Sequence, residues 1–493
     1  MKPASRARLE SGVPRLDYIL NGGLIRGGGY VLMGPPGSGK TILCNQLAFH
    51  HIGSMPEARV VYMTLLVESH SKMLEHLAAM EFFRPEFIPE RIMYVSGYQA
   101  LRSEGVDGLM GVIRQTLREK KPTLFVLDGI DALGGFAKTD LAYKEFLHSL
   151  QAFVSLVGCT VVLTSHHADG AAHPENAIVD GVIELTDRLE GPRAVRELTV
   201  RKFRGSDSLR GKHEVEIDER GIVIHPRTEV QFDQPPEHAR EERIRMAFGL
   251  ERFDAMLGGG LLSGSATALV GAPGTGKTLL GLHFLVEGAR RGQHGVYFGF
   301  YEPPPRLIEK AEAVGLPLRK YCDKGLITLI WQPPLEHFLD SLAEQLLERI
   351  KTDQRSRRRL FIDGIEGFRA ASIYPDRMPR FLSAFTNQLR TLDVTTVVTE
   401  ELGLFRPTIE LPNPQIANVV ENVVLLRYVE LRSQLYRILS IMKLRESRYD
   451  GSLREFRITD DGIDVANSFD SAEAILSGHA KLTSVVPPKR RGR

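Results

Sequence analysis

Two glycine-rich segments carry residue types that do chemistry at a fixed spacing. Gly34-Pro35-Pro36-Gly37-Ser38-Gly39-Lys40-Thr41 and Gly271-Ala272-Pro273-Gly274-Thr275-Gly276-Lys277-Thr278 both fit G-x-x-x-x-G-K-[ST]. In such a loop the glycines let backbone N–H groups curl around phosphate oxygens, and the start of the next helix adds partial positive charge. Contacts with a nucleotide are expected from Gly37, Ser38, Gly39, Lys40, Thr41 and Ile42, and from Gly274, Thr275, Gly276, Lys277, Thr278 and Leu279. Lys40 and Lys277 would reach the β- and γ-phosphates of ATP, and the Thr41 and Thr278 hydroxyls would hold Mg2+. The metal needs a second, acidic anchor. Leu124-Phe125-Val126-Leu127-Asp128 and Leu360-Phe361-Ile362-Asp363 each bring a carboxylate to the end of an apolar strand, where ligands of open α/β sheets sit. An Asp before Gly also starts turns, as Asp128-Gly129 and Asp363-Gly364 would. The phosphate loop upstream favours the metal role.

The elements that must position these groups occur twice. Gly249 minus Gly12, Asp254 minus Asp17 and Lys277 minus Lys40 all give an offset of 237. Each copy alternates apolar, β-rich runs with longer amphipathic stretches, which predicts an α/β fold with a largely parallel central sheet. Strands are expected at Tyr30–Met33, Val60–Thr64, Leu124–Leu127 and Thr160–Thr164, and at Thr267–Val270, Gly295–Phe298, Leu360–Ile362 and Thr395–Thr399. The expected organisation is a first domain over residues 1–225, a proline-bearing charged linker over 226–242, a second domain over 243–468, and a flexible basic tail over 469–493.

Composition bounds the rest. The 493 residues carry 63 Lys+Arg against 61 Asp+Glu, a net charge of +2 that speaks against a generally basic nucleic-acid coat. Hydrophobic residues at 43% and charged residues at 25% are a globular mix. Three scattered cysteines, Cys44, Cys159 and Cys322, exclude a disulfide framework and a four-cysteine zinc site. No apolar run is long enough to span a membrane, and the start MKPASRARLESG lacks a secretory core, so a soluble cytoplasmic protein is expected. The basic run Arg355–Arg359 is read as a solvated helix end or turn, and Trp331 as a packing residue.

Together these residues resemble the KaiC family, the clock-associated branch of the RecA-like ATPases. The resemblance covers nearly the whole chain: two modules, the lead-ins Gly12-Val13-Pro14-Arg15-Leu16-Asp17 and Gly249-Leu250-Glu251-Arg252-Phe253-Asp254, the phosphate loops, and the late motifs Lys202-Phe203-Arg204-Gly205-Ser206 and Lys443-Leu444-Arg445-Glu446-Ser447. It implies two tandem RecA-like P-loop NTPase domains, a homo-hexameric double ring with ATP between adjacent subunits, and a small regulatory partner of the KaiB kind or a signalling kinase. It further implies that Lys202, Arg204, Lys443 and Arg445 act across the subunit boundary on a neighbour's phosphates, with Ser206 and Ser447 close to that nucleotide.

Departures from the clock proteins matter as much. Those carry adjacent glutamates after the second strand of each module, the first being the catalytic base. Here the matching segments end Val67-Glu68 and Tyr301-Glu302, one glutamate each. Glu68 and Glu302 serve as bases if the backbone shifts by one position, and otherwise orient the strand end. The clock-type Ser/Thr phosphoacceptor pair is also missing, its stretch reading Ile416-Ala417-Asn418-Val419. The expectation is a slowly hydrolysing ATP-dependent switch without that phosphorylation cycle, so kinase activity would be a matter of family naming only. A DNA-dependent RecA-like ATPase and a non-hydrolysing ATP-bound scaffold are the alternatives.

Overall fold

The computed structural model describes residues 7–65, 70–137, 139–166, 174–231, 243–352, 358–403, 416–431, 434–466, 473–474 and 480–481. The chain divides into two compact units, Met1–Arg227 and Thr228–Arg493. Residues 232–242 of the expected linker, and all of the expected tail except 473–474 and 480–481, lie outside the described residues.

In the first unit the strands of the central sheet are β1 (Gly29–Met33), β2 (Val60–Thr64), β3 (Ile92–Ser96), β4 (Leu124–Asp128), β5 (Thr160–Ser165), β6 (Gly181–Glu190), β7 (Arg193–Phe203), β8 (Lys212–Asp218) and β9 (Gly221–His225). They form one sheet in the order β9-β8-β7-β6-β1-β5-β4-β2-β3. The six strands from β6 to β3 are parallel, and β7, β8 and β9 extend the sheet by antiparallel hairpins. Val, Leu, Met, Phe and Tyr fill most of β1, β2 and β4, which are buried on both faces as parallel strands covered by helices must be.

The second unit repeats the plan with β10 (Ala266–Gly271), β11 (His294–Gly299), β12 (Ile327–Trp331), β13 (Arg358–Asp363), β14 (Val394–Glu401), β15 (Asn422–Leu431), β16 (Gln434–Leu444), β17 (Arg454–Thr459) and β18 (Gly462–Val465). Their order is β18-β17-β16-β15-β10-β14-β13-β11-β12, strand for strand that of the first unit. All eight strands expected from the sequence are present: Val60–Thr64 has the expected bounds, the other three of the first unit are one residue longer at one end, and the four of the second unit extend at both ends. In each unit two apolar clusters flank the sheet. Leu47, Phe49, Leu198 and Val200 lie on one face of the first sheet, and Val31, Phe125, Leu150 and Val161 on the other.

Two expectations are corrected. Arg359 is not a solvated turn residue: it begins the buried part of β13, is 0% exposed, and donates to the Ala247 and Phe284 carbonyls at 2.6 and 2.7 Å and to Gln293 at 2.8 Å. An arginine whose Nε and Nη1 donate to three oxygens tolerates burial that a bare charge would not, even with its Nη2 left without an acceptor among the described residues. Trp331, the last residue of edge strand β12, is 41% exposed rather than packed.

Buried His51 and His283 make stability pH-dependent. Burial holds both imidazoles below the usual 6.5, at about 4, and the Ile463 amide donates to His283 Nε2 at 3.3 Å, which needs that nitrogen unprotonated. The unfolded chain binds protons near pH 6.5, whereas the folded chain resists until about pH 4. Stability is therefore complete above the unfolded value and declines as pH falls through that window. Urea denaturation at about pH 7 and about pH 5 checks this: a lower midpoint is expected at the acid value, and equal midpoints would contradict it.

Candidate nucleotide-binding site

Each phosphate loop joins a buried parallel strand to a helix. In the first unit β1 ends at Met33 and helix α1 (Lys40–Ser54) begins on the motif lysine. In the second, β10 ends at Gly271 and α2 (Lys277–Arg290) begins likewise. The turn into each helix needs a left-handed residue: Gly39 has φ 98° and Gly276 has φ 101°. A Cβ at Gly39 would also approach Ile217 Cδ1 to 2.9 Å. Only glycine fits there without strain.

The lysines are buried against their own loops. Lys40 Nζ donates to the Gly34 and Pro35 carbonyls at 2.6 and 2.9 Å, and Lys277 Nζ to those of Gly271 and Ala272 at 2.8 and 3.0 Å. Burial lowers the pKa of both, partly offset by Asp128 and Asp131 beside Lys40 and by Glu401, Asp363 and Glu366 around Lys277. These desolvated cations lie at the loop mouth, where anionic oxygens would be strongly attracted.

The expected metal anchors also meet. Thr41 Oγ1 is 3.5 Å from Asp128 Oδ2, and Thr278 Oγ1 donates to Asp363 at 3.0 Å. Both carboxylates have two further hydroxyl donors that sequence reasoning missed: Tyr62 at 2.8 Å and Thr164 for Asp128, Tyr297 at 3.2 Å and Thr399 at 3.0 Å for Asp363. Comparing the two copies could have found them, since 297 minus 62 and 399 minus 164 both give 235. Burial raises the Asp363 pKa, and the hydrogen bonds from Thr278, Thr399 and Tyr297 oppose that. A hydroxyl and a carboxylate beside a phosphate loop are hard oxygen donors and fit Mg2+. Among the described residues no cluster of three or more His, Cys, Asp or Glu forms a metal cage, so phosphate oxygens and water would complete the shell.

In the second unit the loop opens on a cleft of about 500 Å³ lined by Lys277, Thr278, Tyr301, Glu302, Lys310, Asp363, Glu366 and Glu401. Glu302 pairs with Lys310 at 2.9 Å, and Tyr301 is 63% exposed. Val67 and Glu68 lie outside the described residues.

The late basic motifs stand at the opposite edge of each sheet. In the first unit Tyr30 pairs with Gly181 and Gly181 with Phe203, so the end of β7 is level with the start of β1, whereas the phosphate loop follows its end. In the second, Thr267 pairs with Asn422 and Asn422 with Leu444. Roughly 10 Å of strand or more separates each motif from the loop of its own unit. Lys202 Nζ donates to the Asn176 and Val179 carbonyls at 2.7 and 2.6 Å, closing the end of the helix Pro174–Ile178. Lys443 Nζ does the same for Ile416–Val419 through the Ala417 and Val420 carbonyls. A one-residue bulge precedes each lysine, between Val182 and Ile183 on the paired strand of one unit and between Val423 and Val424 in the other. Arg204 and Arg445 are exposed. Ser206 and Ser447 accept hydrogen bonds from Arg8 and Arg245 at 2.9 and 2.8 Å.

Two copies of one nine-stranded, mostly parallel sheet, each with a glycine loop, a buried lysine and a Thr–Asp pair at the strand ends, define a tandem P-loop protein of the RecA-like fold. The sequence model of the ATPase family described as KaiC matches residues 9–229 and 246–469, and the chain belongs to that family. The circadian clock oscillator protein KaiC of Picosynechococcus sp. is 26% identical over 480 residues, which cover 94% of this chain and 90% of that protein. The circadian clock oscillator protein KaiC 1 of Synechocystis sp. is 26% identical over 495 residues, 97% of this chain and 92% of that protein. No helix among the described residues is long and apolar enough to cross a membrane.

Proposed function

We propose that this chain is a cytoplasmic, Mg2+-dependent ATPase of low turnover that binds ATP in both units and forms a hexameric ring bridged by it. In this reading it works as a regulatory switch. The observation that carries the reading is the separation of each basic motif from the loop of its own unit, beside a complete Lys–Thr–Asp set in both. A cation at the far edge of a sheet is of use to a phosphate only if that phosphate belongs to another protomer.

On nucleotide binding, Lys40 and Lys277 exchange loop carbonyls for phosphate oxygens, a charge-assisted contact stronger than the one given up. Thr41 with Asp128 and Thr278 with Asp363 would hold Mg2+, which when bound neutralises charge building on the phosphates. Arg204 and Arg445 reach the neighbour's phosphates, with Lys202 and Lys443 fixing the strand ends that carry them. Ser206 and Ser447 anchor Arg8 and Arg245, so their part is to shape the adjoining loops. The partner this reading implies is a small KaiB-like regulatory protein or a signalling kinase. Burial of Arg359 takes one cation from the basic run Arg355–Arg359 that favoured the DNA-dependent alternative; residues 355–357 lie outside the described residues.

Sedimentation with and without Mg-ATP tests the assembly. A shift to a species six times the mass of the chain is expected, and a monomer indifferent to nucleotide would refute the ring. Clock-type self-phosphorylation is absent in this reading, because Ala417 has no hydroxyl and the Asn418 amide is no phosphoryl acceptor. Mass spectrometry after incubation with ATP should find the chain unmodified; a phosphorylated Ser or Thr close to residue 417 would overturn that part.

A further inference from the structure

We propose that Glu401 is the general base of the second cleft, the carboxylate that takes the proton from the attacking water. The inference rests on the reading of that cleft as an ATP site. Three observations carry it. Glu401 ends β14 and pairs in register with Gly271, the first residue of the phosphate loop, so its position is tied to the loop itself. Its Oε1 lies 3.9 Å from Lys277 Nζ, the group that must meet the terminal phosphates. Its backbone N–H donates to Glu366 Oε1 at 3.0 Å, which steadies the strand end, while the carboxylate stays 56% exposed and lines the cleft.

Glu302, the alternative after β11, is held differently. Its carboxylate is engaged by Lys310 at 2.9 Å, and Tyr301, in place of the usual base, lines the cleft with a phenol and no carboxylate. A base must be within hydrogen-bond reach of the water that attacks the γ-phosphorus, directly or through one more water. A carboxylate already beside the motif lysine meets that condition with a rotation of its own side chain. In the step, the water oxygen bonds to the γ-phosphorus, its proton passes to Glu401, and the bond to the β–γ bridging oxygen breaks with its electron pair left on ADP. The proton then returns to solvent with the departing phosphate.

The first unit has a different group at this place. His166 follows the residue paired with Met33, and its backbone N–H donates to Asp131 at 2.7 Å, as that of Glu401 does to Glu366. The duplicated chain thus offers a carboxylate to one phosphate site and an imidazole to the other, and the proposal concerns the second alone.

The test compares full-length wild type with E401Q and K277A for turnover of Mg-ATP and for nucleotides bound per chain, using a slowly hydrolysed ATP analogue. The difference between wild type and K277A measures turnover at the second cleft. E401Q is expected to reduce that share by at least about 100-fold, the usual contribution of a positioned base, while keeping two nucleotides per chain. It should also raise the preference for ATP over ADP several-fold, because a negative charge near the γ-phosphate is gone. E401Q with wild-type turnover, or with its second nucleotide lost, overturns the proposal, and so does K277A with wild-type turnover. A wild-type chain that fails to fill the second cleft would instead refute the ATP reading beneath it.

Discussion

Lys277→Ala empties the second cleft of nucleotide and Lys40→Ala the first, each lowering affinity for Mg-ATP by at least about 100-fold. The size follows from what the ammonium does. It is desolvated by the fold and held at the mouth of the loop by two carbonyls in each unit. A phosphate replaces those carbonyls with a formal charge, and a hydrogen bond to a charged group is worth about 1.5–3 kcal/mol. Two such contacts, to the β- and γ-phosphates, amount to about 3 kcal/mol at the low end, or a factor of about 100. The fold should survive, because each lysine's hydrogen bonds stay within its own loop. Titration calorimetry should count two nucleotides on the wild-type chain and one on each variant; two on either variant would break the link between motif and ligand.

The second large effect concerns the arginines at the far edge. Arg445→Ala should abolish the second-cleft turnover as completely as Lys277→Ala, since a cation supplied in trans contributes about 10³–10⁵ in rate. The mixture is more telling than either variant. In a ring, each active junction needs the loop of one protomer and the arginine of the next, a heterologous contact. When the two inactive variants are mixed in equal parts and reassembled, half of the protomers supply a good loop and half a good arginine. About a quarter of the junctions then hold both, and about a quarter of second-cleft activity should return. No recovery on mixing would mean that Arg445 serves its own chain, which the register of β15 and β16 makes hard to picture.

The parallel core was legible in the sequence because its signals are local. Apolar runs such as Val60–Thr64 and Leu124–Asp128 are bounded by turn residues and lie between helical patterns, so all eight expected strands are present. The lysines, threonines and aspartates were legible because their spacing along the chain is the chemistry. The rest depends on contacts between distant segments. Tyr62 and Thr164 reach Asp128 from two other strands, and nothing near either residue signals a carboxylate. Arg359 reads as part of a basic surface run until Ala247 and Phe284 supply its carbonyls. Lys202 and Lys443 look like free cations in their motifs, whereas each closes the end of a helix more than twenty residues upstream. The lead-in aspartates likewise hold backbone amides that their motif does not announce. Asp17 accepts from the Ser11 amide, and Asp254 from those of Phe248, Gly249 and Leu250.

The bulge before each of these lysines sets which side of the sheet it serves. Side chains on a strand alternate, so if the same residues ran as a regular strand with no bulge Lys202 would share a face with Leu198 and Val200, and Lys443 with Leu439 and Ile441. With it, both turn toward the helices on the other side. Straightening either strand with every residue kept would therefore aim an ammonium at a greasy interior and strip the helix end of its clasp, whereas excising Arg201 or Met442 would leave each lysine on the face it already serves, so the extra residue acts as a frame-shift written in geometry instead of codons.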